Sequence, residues 1–290
     1  MDRTASLEPV GQLGRATDHD LASGLILAAL ILLLALGAGA LAPADPTALG
    51  PPGRALAPPG PDHLLGTDLL GRDVLSRLLH GGRISLLVGW STMVLATLLG
   101  TLVGLAAGLG PRWLQRALSA LIDLFLAFPS VYLVLLLVAV SRPSLWLLIA
   151  VLTISSWMDV ARLVRIEALA LRDREFVAAA RGLGLSAWRV AWSHVLPNLL
   201  PTVLVAAALR VGQAILLESF LSFLGLGPQA PLITWGAMIA QGRAHLLDAW
   251  WLTVFPGLAI ALTVLSYNLI ADGLRARLLP VGTQRADRHG

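Results

Sequence analysis

The stretch "REFVAAARGLGLSAWRVAWSHVLPNLLP", Arg174 to Pro201, is a polar interruption in a chain otherwise dominated by leucine, valine and alanine. Ala178, Ala179 and Ala180 are strong helix formers, with Phe176 and Leu183 available for an apolar face. Gly184 breaks that helix, and Ser186 is placed to cap a second one. Trp188 and Trp192 suit a bilayer interface, and Pro197 and Pro201 fall where the second helix becomes an apolar run. The pattern predicts a short helix, a glycine turn and a second helix leading into a membrane. The question is what such a knob does between spans.

Across the whole chain, 57% of the 290 residues are hydrophobic and 13% charged, with mean hydropathy +0.78. A soluble domain carries about 25% charged residues, so this composition belongs to the bilayer. Six segments approach the ~20 apolar residues that a helix needs to cross: Leu21–Leu41, Ile84–Leu109, Leu118–Val140, Leu145–Val164, Leu199–Phe220 and Trp250–Ala271. The expected fold is therefore an all-α membrane protein with six transmembrane helices and both termini on one side. With cytoplasmic termini, arginines on inner loops outnumber those on outer loops by more than two to one, as the positive-inside bias requires. That places residues 1–20 and 273–290 in the cytoplasm, with the 84–272 core carrying the hairpin within an inner loop at 167–198.

The first run, 21–41, ends in "GAGALAPADP", which resembles a signal-peptidase site after Ala42. Its length exceeds the ~7–15 residues of a signal-peptide core, which favours a retained anchor. Residues 42–83 lie outside in this topology. Pro43 to Pro61 is too rich in Pro and Gly for a helix or sheet, and reads as an extended linker. In "HLLGTDLLGRDVLSRLLHGG", Thr67 or Asp68 is a plausible N-cap. Leu70, Val74, Leu75 and Leu78 share a face opposite Arg72, Asp73, Ser76 and Arg77, as in a helix lying at the interface and ending at Gly81 and Gly82.

Several chemistries are excluded or weak. The chain has no cysteine, which removes disulfides and thiolate chemistry. All 21 basic residues are arginine, so no Walker A lysine exists and the chain is not itself a P-loop ATPase. The arginines are spread along polar loops rather than gathered on one face, which argues against nucleic acid. There is no HExxH or G-x-S-x-G; His194 lacks a second ligand at metal spacing, and Ser155 and Ser156 read as backbone-bonding. No catalytic residue, metal ligand or cofactor is expected. Asp123, Asp159, Arg210 and Glu218 lie within or at the ends of spans, where an unpaired charge costs about 2.5–3.5 kcal/mol. Arg210, Gln213, Glu218 and Ser222 either line a solute path or form structural pairs, and Arg210 and Glu218 are too far apart for one i, i+4 pair.

"EFVAAARGLGLSAWRVAWSHVLPN" resembles the coupling loop of ABC importer permeases: Glu-Ala-Ala, three residues, Gly, nine residues, Ile, one residue, Leu-Pro. Ala179, Ala180, Gly184, Leu196 and Pro197 match at full spacing, while Ala178 replaces Glu and His194 replaces Ile. Glu175 and Arg181 fit the peptide-type version. "HLLGTDLLGRDVLSRLLHGGRISLLVG", "ESFLSFLGLGPQAPLITWGAMIAQGR" and "FPGLAIALTVLSYNLIADGLRARLLP" are similar to blocks of the dipeptide, oligopeptide and nickel permease family, in its second subunit. The resemblance implies a type I importer permease of the cytoplasmic membrane that moves peptides. It also implies a heterodimer with a homologous permease, two ATPase subunits that use ATP and Mg, and an extracytoplasmic solute-binding protein. Within it, Glu175, Ala179, Ala180, Arg181, Gly184, Leu196 and Pro197 would couple the spans to an ATPase. A permease for nickel or another metal chelate is the alternative, followed more distantly by a membrane scaffold or enzyme without transport.

Overall fold

The structure is a computed structural model that describes residues 10–51, 53–139, 144–229 and 231–279. Residues 1–9 of the expected tail 1–20, residues 280–290 of the expected tail 273–290, and the outer-loop Arg142 lie outside the described residues. Eleven α-helices are described: α1 (Val10–Leu36), α2 (Ala38–Leu41), α3 (Val74–Leu109), α4 (Arg112–Ala127), α5 (Ser130–Ala139), α6 (Leu145–Arg172), α7 (Glu175–Gly182), α8 (Ala187–Val190), α9 (Leu196–Phe223), α10 (Trp235–Gly242) and α11 (Trp251–Leu278). Five helical stretches are long and apolar enough to cross a membrane: within α1, then α3, α6, α8 through α9, and α11.

The third expected span differs. Leu118–Val140 was expected to be one helix, but the chain breaks at Phe128, whose φ −93° and ψ 129° are extended. Pro129 follows, and a proline pushes the preceding residue out of the helical region while offering no N–H of its own. The run is therefore divided between α4 and α5. The first helix also begins earlier than the apolar run, since α1 starts at Val10.

The centre of the bundle is α3 packed along α6, with α9 laid against α3 and α11, and α1 resting on α11. Gly100, Gly104 and Gly108 recur at helical spacing on α3. A Cβ on Gly100 would sit 2.6 Å from the Trp157 carbonyl oxygen, and one on Gly104 2.7 Å from that of Ala161. These glycines let two backbones approach as small residues do in membrane helix pairs. Around this seam lie clusters from α3, α4 and α6 (Ala96, Ile122, Trp157) and from α3, α5, α6 and α9 (Val88, Val134, Leu152, Leu221). A larger cluster ties α1, α3, α9, α10 and α11 through residues such as Ile215, Trp235 and Ile260. The outward side chains of α1 are apolar, Ile26 being 69% exposed, as expected of a helix bathed in lipid rather than water.

Two expectations in the 62–83 region are corrected. Residues 67–73 are a folded loop instead of the first turns of an interfacial helix, and Asp73, not Thr67 or Asp68, caps α3 by accepting from Ser76 N at 2.8 Å. Gly66 and Gly71, at φ +77° and +72°, hold conformations that a helix does not contain. Gly81 and Gly82 do not end the helix, because α3 passes straight through them. A Cβ on Gly82 would lie 3.0 Å from the Trp235 ring and 3.3 Å from Ala35 Cβ, so the glycines make room for α10 and α1.

Candidate functional site

The hairpin follows the order read from the sequence. Glu175 stands in the first turn of α7 and Arg181 in the last, the arrangement that the helix dipole favours. At its end, Gly184 N donates to Arg181 O at 2.9 Å and Leu185 N to Ala180 O at 3.3 Å, a Schellman stop with Gly184 at φ +80°. Ser186 Oγ then accepts from Arg189 N at 3.4 Å to start α8. Pro197 supplies no N–H to the Ser193 carbonyl, and residues Ala191–Val195 widen into a π-turn before α9. Nothing lies within 4 Å of a Cβ built on Gly184, so the need for glycine is conformational and not steric.

Two faces of the hairpin differ sharply. Val177 and Ala180 point inward, sharing a cluster with Leu105 and Leu109 of α3, Val160 and Val164 of α6 and Leu199 of α9. The other face is bare: Glu175, Phe176, Ala179, Arg181, Gly184 and Trp188 are all exposed, and Leu183 is 83% exposed. Trp188 and Trp192 meet edge to face at 5.2 Å between centroids. The paired alanines of the sequence pattern thus part company, Ala180 anchoring the helix and Ala179 facing out. Leu196 and Pro197 lie at the root, in the first turn of α9. This short helix packs on α6 and on the α8 and π-turn segment that follows it, and leaves leucine, phenylalanine and tryptophan side chains uncovered on its other side.

The polar residues of α9 do not form one site. Arg210 Nη1 donates to Asp159 Oδ2 on α6 at 3.0 Å. Glu218 is fully buried and accepts from Ser222 Oγ at 2.7 Å and from Ser219 Oγ at 3.4 Å. Gln213 and Asp123 are exposed. Arg210 and Glu218 therefore satisfy separate partners, as their spacing requires. Ser155 Oγ donates to the Leu152 carbonyl at 2.9 Å, the backbone role expected of it.

Sequence reasoning passed over a polar knot at residues 54–77. Asp68 is 4% exposed and accepts from Leu70 N, Arg72 N, Arg72 Nε and Arg77 Nη1. Arg77 Nη2 reaches Gln241 Oε1 on α10 at 2.8 Å, and Trp251 Nε1 of α11 donates to Thr67 O at 3.1 Å. The Pro-rich arm, expected to be a bare linker, is stitched in where Ala57 N donates to Thr67 Oγ1 and Thr67 Oγ1 to Arg54 O. The available signal was Gly71 in the middle of the proposed helix and the Asp73-x-x-Ser76 cap after it.

Comparison with known proteins gives a consistent picture. Residues 100–280 match the family described as "Binding-protein-dependent transport system inner membrane component". The dipeptide transport system permease protein DppC of Alkalihalophilus pseudofirmus is 40% identical over 257 residues, covering 89% of this chain and 84% of that protein. The probable D,D-dipeptide transport system permease protein DdpC of Escherichia coli is 39% identical over 258 residues, covering 88% and 85%. Among solved structures, a chain of the inward-facing MetNI methionine ABC transporter superposes with TM-score 0.57 at 19% identity, over 69% of this chain and 95% of that one. At that identity the likeness shows the fold.

Proposed function

Because the chain belongs to the family of binding-protein-dependent transport system inner membrane components and is a multi-pass membrane protein, we propose that it is a permease subunit of a peptide importer driven by ATPase partners. The observation that carries the coupling role is the hairpin's bare face, with Leu183 83% exposed at the tip of a helix whose other face is buried against α6 and the α8 and π-turn segment. Glu175, Ala179, Arg181 and Gly184 lie on or beside that face, and Ala180, Leu196 and Pro197 hold it to the spans. Closure of an ATPase around the tip would favour one arrangement of the helices over another, which is what alternating access requires.

In this reading α4 and α5 cross in series as the sixth passage, the termini and hairpin are cytoplasmic, and the Pro-rich arm with its knot faces a solute-binding protein. A homologous permease completes the path. The ATPase subunits would bind and use ATP and Mg, since this chain has no lysine for a phosphate loop. Peptides are the solute class, on the strength of the relatives' names.

Leu183→Asp, assembled with the partner subunits in the inner membrane, tests the assignment. Uptake should fall at least tenfold, on the scale of losing a buried interface anchor, while the amount of inserted protein is unchanged. Unchanged uptake overturns the coupling role. Sidedness follows from the native absence of cysteine: Leu183→Cys should react with an impermeant maleimide only from the cytoplasmic side, and His63→Cys only from the opposite side.

A further inference from the structure

The knot borders an open recess of about 500 Å³ lined by Thr47 of the arm, by residues at 225–229 and 231–233, and by α10. Its polar lining comprises Arg72, Arg77, Gln241, Thr47, Ser222 and Gln229, with no Asp or Glu among the lining residues. That volume falls in the ~300–1,000 Å³ range of small-molecule sites. Pro228, Pro231, Leu232 and Ile233 supply an apolar wall.

The charge in this cavity is unbalanced by design of the knot. Arg72 Nε and Arg77 Nη1 both donate to the same oxygen, Asp68 Oδ2, at 2.7 and 2.6 Å. One carboxylate thus answers two guanidinium groups, and the surplus positive charge borders the cavity. The two arginines are not equivalent. Arg77 is gripped on both sides, by Asp68 and by Gln241, and its side chain is 3% exposed. Arg72 is held through Nε alone and its side chain is 20% exposed, which leaves its two Nη nitrogens without a hydrogen bond among the described residues. A planar guanidinium with free nitrogens, oriented from behind and set in a recess with apolar walls, is matched to a carboxylate. The partial neutralisation by Asp68 keeps the attraction modest, as a site that must release its occupant requires.

We propose that this cavity is an outer vestibule that accepts the carboxylate of a small solute, with Arg72 as the contacting cation. Arg77, Asp68 and Gln241 are positioning residues that fix Arg72 and keep the recess open. The proposal rests on the reading of this face as extracytoplasmic and of the solute as a peptide, whose free C-terminus supplies the carboxylate.

The test uses the assembled transporter in lipid nanodiscs, without the solute-binding protein, footprinted with the arginine reagent phenylglyoxal. Ala-Ala with a free carboxylate should slow modification of Arg72 by roughly tenfold, the scale of a charge-assisted hydrogen bond, and Ala-Ala amide should leave it unchanged. Arg72→Gln should raise the KM for dipeptide uptake with kcat little altered, and Arg72→Lys should recover part of the loss. Equal protection by the amide, or protection by neither peptide, overturns the proposal. Protection by acetate but not by the dipeptide also overturns it, by marking a site too small for the solute. If the wild-type transporter takes up no dipeptide at all, the peptide reading fails, while the footprint still reports on the carboxylate site.

Discussion

The hairpin at 174–197 and the 66–77 segment of the knot are both short polar interruptions shaped by glycines at positive φ, and they use their side chains in opposite ways. The hairpin buries Val177 and Ala180 and leaves Phe176, Leu183 and Trp188 uncovered. The knot buries Asp68, Asp73 and Arg77 and pairs each of them. An element whose contacts close within the chain contributes to that chain's stability. One whose contacts stay open contributes little until a partner arrives. Under the proposed function the knot serves stability and the hairpin coupling, and mutation should separate the two.

The largest effect is expected in the knot. Asp68→Ala leaves the buried Arg77 guanidinium facing Gln241 alone, and breaking a buried pair by removing one partner costs about 3–5 kcal/mol. Thermal unfolding of the detergent-solubilised protein should show a large fall in Tm; a shift within error would mean that the knot is not structural. Next is the α3–α6 seam. Gly104→Leu must displace the Ala161 carbonyl and Val164, and overpacking of this kind costs about 1–3 kcal/mol. Gly184→Ala comes third. With open space around it the cost is that of φ +80° in a residue with a Cβ, roughly 1 kcal/mol, and local hydrogen exchange at 183–186 should report it while global Tm barely moves. Smallest is Leu183→Ser, which should change stability by less than about 0.5 kcal/mol yet reduce solute-stimulated ATP hydrolysis of the assembled transporter. If Leu183→Ser destabilised the isolated subunit as much as Asp68→Ala, the contrast between the two regions would collapse.

The same two regions show what was legible in the sequence. The hairpin could be read residue by residue because its signals are local: alanines, then Gly184, then a Ser186 cap, each acting within a turn of itself. The inward and outward sides of Ala180 and Ala179 were not legible, since they depend on where α3, α6 and α9 lie. The knot misled because Leu70, Val74, Leu75 and Leu78 fall at helical spacing, whereas the structure is decided by Asp68 meeting Arg77 and Arg77 meeting Gln241, 164 positions away. Five of the six expected spans were legible from hydropathy as helices long and apolar enough to cross. The division of Leu118–Val140 at Phe128 was a local signal, a proline within an apolar run, outweighed in the reading by the length of that run.

The glycine seam on α3 bears on how movement passes through the molecule. At Gly100 and Gly104 the backbone of α3 rests against carbonyl oxygens of α6, and at Gly108 against Ala168. Sliding one helix along the other would drive each step into the next side chain, so the seam resists sliding of α3 along α6. The cluster that holds α7 includes one end of this pair, through Leu105, Leu109 and Ala168. Val88 and Leu148 lie toward the opposite end of the same pair, against α5 and α9. A displacement passed to that cluster would therefore act on α3 and α6 together rather than on either helix alone.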